Sequence, residues 1–270
     1  MLVAWRYLGS SEGWSEPETS TRSSSASSDA AQRELIPLGS DGDIYDKRDY
    51  VLSYVESREQ PEWVAYTLTA DKLDLPSGKR PRNFSSDRSI RTGSAVDDDY
   101  RGSGYSRGHM VPSRDMSWDA ASQLETFQFS NICPQIIPYN GGVWRELEEA
   151  TRYWVRRHGE LAIVSGALYG GKNEEIGRNR VDVPSAFYKV LLDRAAGESI
   201  AFLIPHAVQE DHLRTFAMSV DELEERVDLD FWADLLSASD QSKIESNYEL
   251  SEWPIDEKRY QKRIKDWNHR

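Results

Sequence analysis

The most informative part of the chain reads Ser106-Arg-Gly-His-Met-Val-Pro112, then Phe129-Ser-Asn-Ile-Cys-Pro-Gln135, then Tyr139-Asn-Gly-Gly-Val-Trp144. The first stretch is typical of a short strand over residues 106–110. Its Arg and its His are two residues apart and would therefore lie on one face of that strand. Apolar residues at spacings of three and four predict a helix over Asn140–Arg157. A short strand and a helix thus carry the polar residues of interest.

The Arg-Gly-His triplet has the chemistry needed to cleave a phosphodiester. Hydrolysis requires a base that is neutral near pH 7 and positive charge on the phosphate oxygens. His109 supplies an imidazole with an ordinary pKa of about 6.5. Arg107 supplies a guanidinium that can clamp a phosphate oxygen. Gly108 between them would leave room for a nucleic-acid backbone.

Three residues of the predicted helix complete a candidate metal site. Asn140 would start the helix and present a neutral oxygen, which suits a Mg²⁺ ion that keeps most of its water. Glu148 lies about two turns further on and could hold metal-bound water. Arg152 follows Glu148 by four residues and would share its face.

These stretches resemble the active-site region of the DNA/RNA non-specific endonuclease family, which has the ββα-metal fold. Its signature is Asp-Arg-Gly-His, then Ser-Asn-x-x-Pro-Gln, then Asn-x-x-x-Trp with a Glu eight residues after the Asn. The resemblance implies that His109 is the general base and that Asn140 is the direct Mg²⁺ ligand. It implies that Glu148 holds metal-bound water, and that Mn²⁺ or another divalent cation could substitute. One departure is Ser106, where the family usually has Asp.

The same resemblance implies roles for three further residues. Asn131 would help to shape the site, and Arg152 would lie near the leaving group or phosphate. Arg82 would match an upstream Arg that stabilises the transition state, although Arg80 and Arg88 are close alternatives. The products would carry a 5′-phosphate and a 3′-hydroxyl.

The order of predicted elements favours an α+β fold with a mostly antiparallel central sheet that is flanked by helices. Tyr50–Val55 and Trp63–Leu68 look like a hairpin, and residues 79–99 look like a long surface loop. The other predicted elements are strands over Leu161–Leu168, Ala186–Leu192 and Ser199–Pro205, a helix over Asp221–Leu236, and a frayed basic helix over Lys258–Arg270. The predicted organisation is a flexible Ser-rich tail over residues 1–43, a nuclease domain over 44–254, and a basic tail over 255–270.

Composition narrows the class of protein. The net charge of −13 is unusual for a nucleic-acid partner. The charge is segregated, however, because residues 72–91 hold six basic and two acidic residues, whereas residues 221–240 hold eight acidic and one basic. No apolar run is long enough for a membrane helix, which argues against stable membrane insertion. A single cysteine, Cys133, excludes an internal disulfide framework and is expected to be buried.

Several alternatives stay open from the sequence. The leading hypothesis is a Mg²⁺-dependent nuclease of DNA and RNA substrates. Ser106 and the acidic balance also allow a nuclease-like domain that binds without cutting. The Ser-rich N-terminal stretch allows a toxin or effector nuclease that an inhibitor protein controls. The resemblance favours a homodimer and a secreted or periplasmic location, although Met1–Leu8 does not form a complete signal peptide. His158, His206, His212 and His269 are expected to be structural or on the surface.

Overall fold

The computed structural model describes residues 31–171 and 174–269, so most of the predicted Ser-rich tail lies outside the described residues. The strands are β1 Asp43–Asp46, β2 Val51–Val55, β3 Gln60–Thr69, β4 Tyr105–His109, β5 Ile132–Ile136, β6 Glu160–Leu168, β7 Glu175–Ile176, β8 Val181–Asp182, β9 Ala186–Asp193, β10 Glu198–Pro205 and β11 Ala217–Met218. Within the described part, seven of them form one antiparallel sheet in the order β1-β2-β3-β6-β9-β10-β11. The predicted α+β arrangement with a mostly antiparallel sheet is confirmed.

Helices lie on both sides of this sheet. They are α1 Ala70–Asp74, α2 Asp97–Tyr100, α3 Ala120–Glu125, α4 Ile137–Tyr139, α5 Arg145–His158, α6 Val220–Val227, α7 Ala238–Ile244 and α8 Glu257–Lys262. Short 3-10 turns cover Glu56–Arg58, Phe129–Asn131 and Leu213–Phe216, and wide π-type turns cover Asn140–Trp144 and Arg263–Trp267. None of the helices in the described ranges has the length and apolar character needed to cross a bilayer.

The two faces of the large sheet bury two separate cores. Side chains alternate along a strand, so the neighbours Ile163 and Val164 on β6 point into opposite cores. Trp154 of α5 packs in the core of Ile163. Leu223 of α6 and Trp232 pack in the core of Val164. The sheet is therefore the middle layer, and α5 and α6 lie on opposite sides of it.

The strand that carries the Arg-Gly-His triplet belongs to a separate small sheet. β4 pairs antiparallel with β5, which places His109 opposite Ile132 and Arg107 opposite Pro134. The predicted strand over residues 106–110 is therefore confirmed to within one residue. β5 was not predicted, because Pro134 cannot donate a ladder hydrogen bond and breaks the strand pattern. β5 then leads through α4 and the turn Asn140–Trp144 into α5.

The hairpin agrees with its prediction, and the loop predicted over residues 79–99 is irregular only up to residue 96, because α2 begins at Asp97. β2 and β3 pair antiparallel, with Pro61 included in β3 next to a register shift at Ser53/Tyr54. Residues 75–96 contain neither helix nor strand apart from an isolated bridge between Ser85 and Gln128. This loop runs beside β4 and lends side chains to the cleft described below.

The predicted helix over Asp221–Leu236 is wrong in length. α6 ends at Val227, because Asp228 adopts a left-handed conformation with φ 57°. Phe231 and Trp232 then turn inward and are fully buried. The free energy gained by burying these two aromatic side chains exceeds that of continuing a polar helix. A second helix starts only at Ala238.

The ordered structure extends beyond the predicted boundaries at residues 44 and 254. Leu35 is buried in the second core, and Leu38 forms a bridge with Asp230. At the other end, Arg263 and Trp267 are buried, where a frayed tail was expected. The Nε atom of Arg263 donates to the buried Glu146 of α5 at 2.5 Å. The C-terminal segment is thus docked on the helix that carries the candidate site.

Replacing Arg263 by Ala tests this docking. The substitution leaves the Glu146 carboxylate buried without its cation, which costs about 3–5 kcal/mol for a buried pair. We expect the free energy of unfolding in urea to fall by that amount. Lys265→Ala on the same turn is the control, since Lys265 is exposed and its loss should change stability by less than about 0.5 kcal/mol. Equal effects of the two substitutions would contradict the docked arrangement.

Candidate active site

A cleft of about 600 Å³ opens where β4, the turn before α5 and the long loop meet. Five residues predicted from the sequence line it, namely Arg107, His109, Asn140, Glu148 and Arg152. Ser106 also lines it, and so do Phe84 and Ile137, which add apolar surface at its walls. The five predicted residues, which are up to 45 positions apart in the chain, are therefore brought to one place.

His109 ends β4 and is 9% exposed. Its ring lies edge-on to Phe127, with 4.8 Å between centroids, and lies near Phe84. Burial, aided by the positive charge of Arg80, lowers the pKa of His109 to about 3. Its Nε2 atom is buried and has no hydrogen-bond partner in the described part of the chain. At pH 7 the imidazole is neutral and able to accept a proton.

Asn140 occupies the first position of the π-type turn, and regular helix begins only at Arg145. Asn140 is therefore not the helix start that the sequence predicted, because helical turns begin at Ile137 and the regular part of the predicted helix begins five residues after Asn140. The helix is interrupted at Gly142, whose φ of −106° and ψ of −109° lie outside the helical region. π-type turns within helices are frequent at functional sites.

A chain of two hydrogen bonds orients the Asn140 amide. Ser106 Oγ donates to the backbone oxygen of Gln135 at 2.7 Å, which uses its single proton. It can therefore only accept from Asn140, whose Nδ2 lies 2.9 Å away. With its nitrogen held by Ser106, Asn140 has its amide oxygen left for a cation. The serine that departs from the family signature is the group that sets this orientation.

Glu148 and Arg152 lie one turn apart on α5 above a buried polar cluster. An Arg152 guanidinium nitrogen lies 2.8 Å from Asp115 Oδ1, and Tyr66 donates its hydroxyl to Asp115 Oδ2 at 2.8 Å. Burial raises the pKa of Glu148 to about 7, an effect that the nearby Arg152 opposes and Asp115 strengthens. The predicted common face of Glu148 and Arg152 is thus observed, and both side chains border the cleft.

Lys189 is a further charged residue near the cleft that sequence reasoning did not select. It lies in the middle of β9, is fully buried, and donates to Ser165. Its ammonium lies 5.3 Å from the ring centroid of Trp144. Burial lowers its pKa to about 8, while the charges of Asp115 and Glu148 act in the opposite direction. The available signal was a lysine within the apolar strand Ala186–Leu192, which requires a buried negative partner.

The cleft is basic although the chain is acidic. Among the described residues that line it, five are arginines and two are glutamates: Arg80, Arg107, Arg114, Arg145, Arg152, Glu148 and Glu149. Arg80 comes from the basic stretch upstream of β4. Arg82 instead lines an adjoining cavity of about 500 Å³, together with Phe84, Asp97 and Arg107. The arrangement therefore favours Arg80 over Arg82 as the upstream arginine of the cleft.

Asn131 lies outside the cleft, fully buried. Its Oδ1 accepts from Val111 N at 2.9 Å, and its Nδ2 donates to Val111 O at 3.1 Å and to Thr126 O at 2.9 Å. It thereby holds the backbone two residues beyond His109. From this position we expect Asn131 to shape the site without contacting a substrate.

The expected role of Gly108 is wrong. A Cβ atom at this position would lie 2.3 Å from the Gln135 side chain. Glycine is therefore required by packing between β4 and β5, and the space beside it is already filled. Cys133, on the facing strand, is buried as expected.

Two of the remaining histidines have structural contacts. Ile136 N donates to His206 Nε2 at 2.9 Å, and His206 Nδ1 lies 2.8 Å from Pro184 O. His158 Nδ1 lies 2.8 Å from Asp193 Oδ2. These histidines join strands and loops outside the cleft, as the sequence predicted.

Comparison with known proteins identifies the family. Residues 28–238 match the DNA/RNA non-specific endonuclease family. The chain belongs to that family. Its relatives include the human mitochondrial nuclease EXOG, which is 33% identical over 211 residues, or 71% of this chain and 57% of that protein. Human mitochondrial endonuclease G is 29% identical over 222 residues, or 76% of this chain and 75% of that protein.

Bacterial and structural relatives agree with this membership. A nuclease of Nostoc sp. is 32% identical over 236 residues, covering 81% of this chain and 82% of that protein. The crystal structure of the EndoG/EndoGI complex superposes with a TM-score of 0.71 and 27% identity, covering 81% of this chain and 95% of that chain. The predicted ββα-metal nuclease fold is thus confirmed. The chain spans about 57% of the length of the human EXOG nuclease.

The elevated pKa of Glu148 predicts a pH-dependent effect of Glu148→Gln. The carboxyl has a pKa of about 7 in the folded protein against 4.5 as its ordinary value. The folded state therefore binds the proton more tightly, and wild-type stability falls as pH rises from about 4.5 through 7. Relative to the wild type, we expect the Gln variant to be about 2 kcal/mol more stable at pH 8 and similar at pH 4. Urea denaturation across this range measures the difference, and a constant difference would contradict the prediction.

Proposed function

We propose that this protein is a Mg²⁺-dependent, sequence-nonspecific endonuclease that hydrolyses phosphodiester bonds in DNA and RNA. The observation that carries the proposal is the meeting of a neutral His109, an oriented Asn140 and Glu148 in one arginine-lined cleft. Family membership supports the same activity class.

His109 is proposed as the general base. Its imidazole is neutral near pH 7, and its Nε2 atom, which has no hydrogen-bond partner among the described residues, is available to accept a proton from an attacking water. The aromatic rings of Phe84 and Phe127 hold the ring in place. Arg80, beside it, keeps the site positive where negative charge develops on the phosphate.

The residues of the cleft fit a hard divalent cation. Asn140 offers an amide oxygen and Glu148 a carboxylate, and the oxygen-only donor set suits Mg²⁺ or Mn²⁺. Asn140 would be the direct ligand, and Glu148 would hold water bound to the cation. When bound, the cation would supply positive charge to the scissile phosphate. Arg152, fixed by Asp115, would then lie close enough to contact the phosphate or the leaving group.

The lack of sequence preference follows from the chemistry of the cleft. Five arginines among the described residues line it, and their guanidinium groups would bind backbone phosphates, which carry no sequence information. Phosphates are common to DNA and RNA, so the proposal includes both substrates. A guanidinium nitrogen of Arg107 lies 2.7 Å from Asp97 Oδ1. Arg107 lines both the cleft and the adjoining cavity that Arg82 lines. The two spaces together could therefore accommodate a longer nucleic-acid strand.

An inhibitor protein is a proposed partner. The support is the structural relative, which was solved as an EndoG/EndoGI complex concerned with EndoG inhibition. A homodimer and a secreted or periplasmic location remain predictions from the family resemblance. Size-exclusion chromatography with light scattering measures the oligomeric state directly.

His109→Ala tests the proposed base. Cleavage of supercoiled plasmid and of RNA with Mg²⁺ should fall by about 10²–10⁴-fold, because a positioned general base contributes that factor. EDTA should abolish wild-type cleavage. His269→Ala, at an exposed position, is the matched control and should keep full activity. Full activity of His109→Ala would refute the proposed role of His109 as the base. If the wild type instead binds nucleic acid tightly without cleaving it, the protein is a binding domain.

Ser106→Ala tests the orientation of Asn140. Without the Ser106 hydroxyl, the Asn140 amide can rotate. Loss of a residue that orients a metal ligand typically lowers the metal affinity by about 10–100-fold. The Mg²⁺ concentration that gives half-maximal cleavage should rise accordingly. Ser113→Ala is the control in the same cleft, since Ser113 Oγ has no hydrogen-bond partner in the described ranges. An unchanged Mg²⁺ requirement of Ser106→Ala would contradict this role.

A further inference from the structure

Three carboxylates converge on the side of the sheet opposite the cleft. Asp221, Glu224 and Glu245 each place a carboxylate oxygen within 4.8 Å of the other two. Asp221 and Glu224 lie one turn apart on α6, and Glu245 directly follows α7. α6 packs in the core of Val164, whereas the cleft residues lie above the core of Ile163. The cluster is therefore separate from the candidate active site.

Glu245 is the least accessible member of the cluster. Only 3% of it is exposed, and its Oε1 atom is buried without a hydrogen-bond partner among the described residues. An unpartnered carboxylate oxygen in this setting is costly, because burial removes water without supplying another donor. A proton or a cation would satisfy this oxygen.

The backbone around the cluster is fixed by short contacts. Asp221 N donates to Glu245 O at 3.1 Å, which ties the first turn of α6 to the end of α7. Phe231 N donates to Glu224 Oε1 at 2.7 Å, and Ser199 Oγ donates to the backbone oxygen of Ile244 at 2.7 Å. The three carboxylates are thus held together by the fold, despite their mutual repulsion.

The charges that act on the cluster are negative. Burial and the charges of Glu224, Asp221 and Asp230 together raise the pKa of Glu245 to about 8, and a hydrogen bond with Gln241 opposes this shift. Burial likewise raises the pKa of Glu224 to about 7. Like charges this close are unstable unless a proton or a cation neutralises them.

We propose that Asp221, Glu224 and Glu245 form a structural Ca²⁺ site that joins α6 to the end of α7. The donors are oxygens only, which excludes a preference for soft metals. Ca²⁺ accepts several carboxylates in flexible geometry, whereas Mg²⁺ sheds its water reluctantly and is usually held by one or two carboxylates. Asp221 and Glu224, which belong to the acidic run over residues 221–240, would thereby bind a cation.

Ca²⁺ titration of the full chain after EDTA treatment tests the site. Isothermal calorimetry should detect Ca²⁺ binding, and saturating Ca²⁺ should raise the Tm by about 5 °C, since a ligand that binds only the folded state stabilises it. Glu245→Gln and, separately, Glu224→Gln should lose most of this rise in Tm. The metal-free Gln variants should be at least as stable as the metal-free wild type, because each substitution removes like-charge repulsion. Loss of the Ca²⁺-dependent rise in Tm, together with retained stability in the metal-free state, distinguishes loss of a cation site from misfolding.

Two controls separate this site from its surroundings and from the cleft. Glu225→Gln changes an exposed carboxylate on the same helix and should keep the full Ca²⁺ effect. Asn140→Ala disables the candidate active site and should also keep it, so failure of the nuclease proposal leaves this test intact. The proposal is overturned if wild-type protein shows neither heat nor a Tm shift, which would mean that protons neutralise the cluster. An undiminished shift in both Gln variants would overturn it as well, because Ca²⁺ would then bind elsewhere.

Discussion

The buried ion pair between Arg152 and Asp115 connects the main parts of the molecule. Arg152 belongs to α5 and Asp115 to the segment after β4, and Tyr66, which donates to Asp115, belongs to β3 of the large sheet. Desolvating two charges costs several kcal/mol for each, and only good geometry with further hydrogen bonds offsets that cost. The helix, the small sheet and the large sheet are therefore held in one relative position. Glu148, one turn before Arg152, owes its place beside the cleft to this arrangement.

Opposing electrostatic environments lie close together within the cleft. His109 is buried next to a positive charge and stays neutral, whereas Glu148 is buried between positive and negative groups and titrates near pH 7. Lys189, beneath Trp144, adds a positive charge that favours the ionised carboxylate of Glu148. The net charge of −13 says little about these local fields, because much of the negative charge lies elsewhere, including the run over residues 221–240. A basic cleft and an acidic protein are thus compatible.

Local patterns predicted the fold where burial and periodicity agree. The β2–β3 hairpin and strands β6, β9 and β10 were recognisable from apolar runs bounded by polar turns. The errors arose where tertiary contacts override local preference. β5 contains a proline and forms because β4 offers it a partner, and the end of α6 is set by burial of Trp232. The C-terminal segment looked like a solvated basic tail because its buried partner, Glu146, is 117 residues away from Arg263.

The sequence by itself predicted the family, because three linked motifs resemble the family signature, and it placed His109, Asn140 and Glu148 in the candidate site. Tertiary structure alone decided how those residues are supported. The orientation of Asn140 depends on the hydrogen bond that its Nδ2 donates to Ser106 Oγ, 34 residues earlier. The ionisation of Glu148 depends on burial and on the charges of Arg152, Asp115 and Lys189, the last of which lies on β9. It also decided which upstream arginine lines the cleft and that three distant carboxylates meet on the far side of the sheet. Desolvation and long-range pairing depend on the packed chain, and local sequence does not encode them.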